Sequence, residues 1–458
     1  MKRYDKYKEI PAPWLSKIPI HWSFRKIRYA FNERSEKGYP HEPLLSATQS
    51  HGVIPQALYE SRMVSASKDF HLLKLVEVGD FVISLRSFQG GIEYAYYRGI
   101  ISPAYTIMSP RDIIDSGYFR YLAKSEDFIR LLQTCVTGIR EGQNIDYKTL
   151  RRNVMPIPPK GEQEQIVRYL NWKVSLINKF VKEKKREVAL LKELKNAEIN
   201  HAVTRGLNSE SPLKDIGIEW IGQIPAYWRP FRIKQISRFN PSIQPILKDY
   251  TNDDQVVFLP MDKISSNGEI DNSEKRPIGV VRNGFTSFKR NDIVIAKITP
   301  CFENGKCALL SDLETIIGYG TTELIVIEPK NDVVINRYLL LILRSEIFRK
   351  NGANFMTGSA GQKRIPVKYI EDFSIGIPSV PEQQQIIDYI AEKEERINKA
   401  ISDIEREIDL VKEYKARLIS DVVTGKVDVR GIVVPDFQSE SEVIEATEEE
   451  ADDQTEIN

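Results

Sequence analysis

The sequence predicts an α+β protein in which two pseudo-repeated mixed α/β globules are separated by a two-helix antiparallel coiled coil. Three observations carry that expectation: the chain is written twice, each copy ends in a long stretch free of Pro and Gly, and both stretches place apolar residues at alternating steps of three and four.

The repeat comes first. Trp14-Leu15, Ile18-Pro19 and Trp22 return as Trp220-Ile221, Ile224-Pro225 and Trp228, an offset of 206. Phe24-Arg25 returns as Phe231-Arg232 at 207, and Asp80-Phe81-Val82-Ile83-Ser84 is echoed by Asp292-Ile293-Val294-Ile295-Ala296 at 212. From Tyr118 onward the offset is 220: Ser125-Glu126-Asp127-Phe128 answers Ser345-Glu346-Ile347-Phe348, Thr137-Gly138 answers Thr357-Gly358, and Glu162-Gln163-Glu164-Gln165-Ile166 answers Glu382-Gln383-Gln384-Gln385-Ile386. The drift lies before Tyr118, so insertions separate the copies where they diverge most.

Each copy opens with a globule, residues 1–158 and 206–378. Phe81-Val82-Ile83 and Leu324-Ile325-Val326-Ile327 read as buried strands, and Asn267-Gly268 and Asn283-Gly284 as tight turns. Tyr118 to Gln133 and Asn336 to Lys350 read as amphipathic helices. A long helix follows, 159–205 and 379–430, announced by Pro158-Pro159 and by Pro378 and Pro381. Sampled at heptad spacing, the first gives Val167, Leu170, Val174, Ile177, Val181, Lys184, Val188, Leu191 and Lys195; the second gives Ile387, Ile390, Glu394, Ile397, Ile401, Ile404, Ile408, Val411 and Lys415. Fourteen of these eighteen are apolar, which is a coiled-coil seam. Lys184 and Glu394 interrupt it, facing solvent or fixing register. Two similar units in one chain pack with pseudo-twofold symmetry, and a dyad perpendicular to the helices makes them antiparallel. The expected rod is about 65 Å long with a globule at each end.

Apolar residues make up 41% and charged residues 28%, as in an ordinary soluble protein. Nothing approaches a membrane span, Met1-Lys2-Arg3-Tyr4-Asp5-Lys6 lacks a signal-peptide core, and three cysteines point to the reducing cytoplasm. Residues 431–458 hold ten acids and no Lys or Arg, an expected disordered acidic tail; the rest has 65 basic against 54 acidic residues, a net of +11. That balance suits a polyanion partner. Two different readers on a twofold rod suit duplex DNA, with half-sites roughly 34–36 Å apart, and unlike globules imply an asymmetric bipartite target. A DNA-independent coiled-coil scaffold is the alternative.

No catalytic constellation stands out. There is no phosphate-binding GxxxxGK[ST] loop, Asn240-Pro241-Ser242 does not make a methyltransferase motif, and Cys301 and Cys307 lack the partners of a metal site. Asp253-Asp254 reads as a solvated pair. The expectation is a protein without catalytic residues, metal or cofactor of its own.

Readout belongs on loops. One candidate pair follows the echoed strand: Ser84 to Gly91, with Arg86, Ser87 and Gln89, and Lys297 to Lys306, with Thr299 and Asn304. Arg suits guanine and Gln suits adenine in the major groove. A second pair is Thr137 to Gln143, with Arg140, and Thr357 to Arg364, with Gln362 and Lys363. Arg62, Lys68, Arg282, Lys289 and Arg290 are expected at phosphates, where contacts position without specifying. Trp14, Trp22, Trp220 and Trp228 read as core aromatics before base-stacking platforms.

These features resemble the specificity (S) subunit of type I restriction–modification enzymes over residues 1–430. The carriers are Trp14…Ile18-Pro19-Ile20-His21-Trp22 and Trp220-Ile221-Gly222-Gln223-Ile224-Pro225…Trp228, with the junctions Ile157-Pro158-Pro159…Glu162-Gln163 and Ile377-Pro378…Pro381-Glu382-Gln383. The first copy has Ser16 and Gly161 where the family usually has Gly and Pro; the second keeps both. The resemblance implies two target-recognition domains, each reading half of a bipartite DNA site. It also implies helices that set the spacer and dock two methyltransferase (M) subunits, with two restriction (R) subunits completing the complex. S-adenosylmethionine, ATP and magnesium would belong to those partners.

If the helices act as a ruler, deleting one heptad from each shortens the spacer by about 10 Å, or roughly three base pairs. Mapping methylated bases in cells carrying the variant checks this; an unchanged spacing refutes it.

Overall fold

A computed structural model describes residues 2–58, 69–84, 87–137, 144–218, 220–359 and 362–437. The chain forms two compact units. The first joins residues 1–185 to 405–458, and the second is the continuous stretch 186–404.

In the first unit an antiparallel sheet runs in the order Phe31–Arg34, Thr106–Pro110, Phe81–Ile83, Glu93–Tyr94. In the second the order is Ser237–Phe239, Leu324–Pro329, Ile293–Ala296, Cys307–Leu309, again antiparallel. A further pair closes each globule onto its own start: Ser23–Lys26 with Val154–Ile157, and Arg229–Arg232 with Ser374–Ile377. Beyond this frame the units differ. The first carries the hairpin Leu45–Thr48/Gly52–Pro55 and the pair Lys74–Val76/Gly99–Ile101. The second builds another four-stranded sheet from Lys275–Pro277, Gln255–Leu259, Ile317–Gly320 and Thr286–Lys289, with a parallel pairing at its centre. The sequence offset grows across these regions.

Where single helices were expected, the structure has two in each unit: Ser116–Ala123 and Glu126–Thr134, and Asn336–Arg344 and Glu346–Ala353. The break falls at Ser125 and at Ser345. Each serine is extended, and its hydroxyl accepts from the backbone N–H of Phe128 or Phe348, starting a new helix. Local capping thus overrides an apolar period that runs through the break.

Trp22 and Trp228 are fully buried, as core aromatics. Trp14 donates Nε1–H to the Val154 carbonyl at 2.9 Å and meets Phe128 edge-on, while Trp220 stacks on Phe373.

The long helices span Lys160–Arg205 and Val380–Val423. The second therefore ends seven residues before the expected boundary. Gly425 takes a left-handed φ of +77° against Pro19 and Trp22, where a Cβ would stand 2.4 Å from the Pro19 ring. Residues 431–437, assigned by charge to the tail, are not all solvated: Val434 is buried, and Ile432 and Phe437 pack on the first unit's core.

Both helix starts are fixed alike. Buried Gln163 accepts from Asp115 N–H (2.7 Å) and donates to the Ile113 and Pro158 carbonyls (3.1 and 2.9 Å). Buried Gln383 accepts from Ile335 N–H (2.8 Å) and donates to the Val333 and Pro378 carbonyls (2.9 and 3.1 Å). The preceding glutamates hold the opening segments. Glu162 accepts from Tyr4 and pairs with His21 at 2.8 Å, and Glu382 accepts from Tyr227 at 2.8 Å and Trp228 at 3.1 Å.

Within each unit the seam is antiparallel. In the first, Lys415 bonds Asn178 (2.6 Å) and Lys184 pairs with Glu407 (3.4 Å), so one helix descends as the other rises. Leu170, Val174, Val181 and Ile408 are buried, with Val167, Ile177 and Val411 partly so. In the second, Lys195 bonds Asn398 (3.2 Å), and Glu198 meets Tyr389 (2.9 Å) and Lys393 (3.2 Å). There Val188, Ile387, Ile390, Ile397, Ile401 and Ile404 are buried and Leu191 is partly so. Both seam interruptions are paired, Lys184 as above and Glu394 with Arg344 at 3.4 Å.

Gln383→Ala strands one N–H and two carbonyls in a buried site, which costs about 3 kcal/mol or more. Gln163→Ala does the same in the first unit. Both variants are expected to unfold at lower urea concentration than wild type; an unchanged midpoint contradicts the role given to these glutamines.

Candidate nucleic-acid interface

In the second unit the strand Ile293–Ala296 delivers its chain directly into Lys297–Lys306. That segment does not stand alone. Thr299 N–H donates to the Lys363 carbonyl (2.9 Å), Lys363 N–H donates to Thr299 Oγ1 (3.0 Å), and Ile365 N–H donates to the Lys297 carbonyl (2.8 Å). The two loops proposed from sequence, some 60 residues apart, therefore form one cluster with Lys297, Thr299, Gln362, Lys363 and Arg364 in it. A third segment joins them. Lys297 N–H donates to the Glu323 carbonyl, and Arg364 grips the Glu323 carboxylate with two 2.9 Å bonds. The hydrogen bonds from Arg364 hold the Glu323 carboxyl below its ordinary value. Arg364 is nearly half exposed, so the pair orders the cluster more than it stabilises the fold.

Asn304, Gln362 and Lys363 are exposed. Lys306 is committed elsewhere, donating to the Met261 carbonyl at 3.0 Å. Arg349 braces the loop by donating to the Glu303 carbonyl at 2.9 Å. Glu323 and Arg349 were absent from the sequence-derived set because nothing local marks them; only the strand order brings them to this loop.

Lys289 and Arg290 precede the strand, at the end opposite Lys297. Lys289 pairs with buried Asp292 (2.6 Å) and with Glu328 (2.9 Å). Arg290 donates to the Leu313 and Glu314 carbonyls at 3.0 and 3.1 Å. Arg282 is exposed after the short helix Ile278–Val281. These three do not join the Lys297/Lys363 cluster.

The first unit repeats the plan. The strand Phe81–Ile83 leads to a short helix, Ser87–Gly90, packed against the strand Asn144–Ile145, which pairs with Val136–Thr137. Gln89 is exposed. Ser87 is fully buried, and its hydroxyl accepts from Ser84 N–H at 2.8 Å. It supports the loop instead of facing a ligand, because its Oγ satisfies the backbone where the strand ends. Arg62, Lys68, Arg86, Arg140 and Gln143 lie outside the described residues.

Among the described residues no group of three His, Cys, Asp or Glu stands close enough to hold a metal, and no helix is long and apolar enough to cross a membrane. Cys307 is a core residue whose thiol burial pushes up to about 12.

The family model for the type I restriction modification DNA specificity domain matches residues 225–408. The type I restriction enzyme EcoAI specificity subunit of Escherichia coli is 41% identical over 186 residues, 40% of this chain and 30% of that protein. The chain thus spans under a third of the length of that relative. The type I restriction enzyme MjaVIII specificity subunit of Methanocaldococcus jannaschii is 23% identical over 378 residues, 78% of this chain and 81% of that one. A solved chain described under "Structural basis underlying complex assembly and conformational transition of the type I R-M system" matches in fold with a TM-score of 0.64 at 12% identity, over 90% of this chain and 99% of that one. Residues 225–408 are thus similar to the type I restriction modification DNA specificity domain, and the chain is similar to the two specificity subunits above over the stretches given.

Proposed function

We propose that this chain is the DNA sequence reader of a type I restriction–modification system, recognising an asymmetric bipartite target and scaffolding methyltransferase and restriction subunits. The observation that carries the proposal is a frame built twice from matching residues, with unlike loop clusters at the same place in each copy. A constant frame serves presentation, and variable loops at one end of a rigid strand serve readout. The excess of 65 basic over 54 acidic residues before the tail suits attraction to duplex phosphates.

On this proposal the chain itself catalyses nothing. S-adenosylmethionine, ATP and magnesium are handled by the partners. The long helices offer those partners matching faces. In the second unit Leu190 and Leu194 are exposed one helical turn apart, and in the first Leu410 and Tyr414 are. Each pair sits at the repeat offset of 220 from the other, so both copies present the same apolar spot, as docking of two copies of one partner requires.

Three measurements test this. Gln362→Ala is expected to relax preference at one half-site by about 1–3 kcal/mol. Lys363→Ala is expected to weaken binding to all sequences and to flatten the salt dependence by about one ion. Binding that ignores salt would favour a DNA-independent scaffold. Leu410→Asp with Tyr414→Asp is expected to leave one methyltransferase copy per chain by native mass spectrometry, where two would otherwise bind; unchanged stoichiometry rejects this face as the dock.

A further inference from the structure

Among the differences between the matching four-stranded sheets of the two units is one buried pair. In the first, Val82 pairs with Glu93; in the second, the matching Val294 pairs with Ala308. Both Glu93 and Ala308 are fully buried. The frame therefore works with a methyl group at this place, and a buried carboxylate there is an addition that the fold does not need.

Glu93 holds Lys124. The Lys124 ammonium bonds Glu93 Oε2 at 2.8 Å, the Gly90 carbonyl at 2.9 Å and the Gln49 carbonyl at 3.2 Å. One cation thus ties three segments: the sheet, the end of the Ser87–Gly90 helix, and the turn of the hairpin Leu45–Thr48/Gly52–Pro55. The approach is close. A Cβ on Gly90 would stand 2.9 Å from the Gln49 side chain, and one on Gly91 would stand 2.4 Å from the Ala123 carbonyl, with Gly91 at φ +90°. The turn is itself braced, with Thr48 Oγ1 donating to the Gly52 carbonyl (3.1 Å) and accepting from His51 N–H (3.0 Å). Gln49, Ser50 and Gln89 are exposed on this joint surface.

We propose that Lys124, anchored by Glu93, is a positioning residue that locks the Gln49–Ser50 turn beside Gln89, making one composite DNA-reading surface that the second unit lacks. The proposal rests on the DNA-reading function above. Gln89, exposed beside that turn, carries the amide geometry that reads adenine, and the clamp sets where the turn meets it.

The clamp brings a pH response. Burial pushes the Glu93 carboxyl from its ordinary 4.5 up to about 7, against the pull of Lys124. The surrounding elements add Arg120, which bonds Tyr96 and lies over the Tyr94 ring, and buried His51, bonded to Ser50. Because the folded value is raised, ionised Glu93 opposes folding. Its contribution to stability is full below 4.5 and is lost as pH rises through about 7. The charged clamp, by contrast, forms only as Glu93 ionises, so reading and stability move in opposite directions.

The experiment selects bound duplexes from a randomised DNA library with the full chain at pH 8 and pH 6 and sequences the pool. For wild type, discrimination at the first unit's half-site is expected to fall about tenfold at pH 6, with the other half unchanged. Glu93→Gln and Glu93→Ala, the latter importing the second unit's residue, are expected to show that loss at pH 8 already. Neither should respond further to pH, and both should melt no lower than wild type at pH 8. Several results overturn the proposal: full selectivity in both variants, equal loss at both halves, or a pH response kept in Glu93→Gln, which would place the source of the pH response outside Glu93. A wild-type chain that selects no sequence at either pH overturns the DNA-reading function itself.

Discussion

The structure depends on a buried glutamine at the start of each long helix. Gln163 and Gln383 each satisfy one backbone N–H and two carbonyls that the surrounding loops leave open. A primary amide is the side chain that supplies both the donors and the acceptor from one planar group. The junction fixes the direction in which each helix leaves its globule, and the adjacent Glu162 and Glu382 tie that direction to the opening aromatic segment. With the exit angle set, the heptad seam keeps an antiparallel register within each unit.

That constraint separates what is constant from what varies. Sheet order, the closing strand pair, the serine-capped helix break and the glutamine junction recur in both units. The additional strands and the loop clusters do not. Lys184 pairs with Glu407 across the seam and so specifies register where an all-apolar seam would allow sliding, whereas Glu394 pairs with Arg344 of the short helix Asn336–Arg344 and ties the seam to its globule.

Much of the frame was legible because it is periodic or repeated. The helices announced themselves by spacing, and the repeat aligned residues that turned out to share structural roles. The helix break at Ser125 and Ser345 was hidden, since a capping hydroxyl leaves the apolar period intact. The candidate loops were found as separate stretches, but their union through Thr299, Lys363 and Glu323 depends on strand order, which no local pattern encodes. Ser87 misled for a related reason: a polar residue after a strand looks exposed in sequence, and here its hydroxyl satisfies a backbone N–H inside the globule. The Glu93–Lys124 pair was invisible because neither residue is unusual until both are placed beside Gly90.

The first unit is assembled from two separate stretches, one before and one after the second unit. Asp428 N–H bonds the Lys2 carbonyl, Tyr118 bonds the Val423 carbonyl, and Val422, Val423 and Val429 complete a core begun by Tyr4 and Trp22. The second unit is one uninterrupted stretch, 186–404. During synthesis the ribosome therefore finishes the second unit while the first still lacks the segment that closes it. The globule of residues 1–185 thus keeps apolar surface uncovered until residues 418–434, which follow the second unit in the chain, have been made.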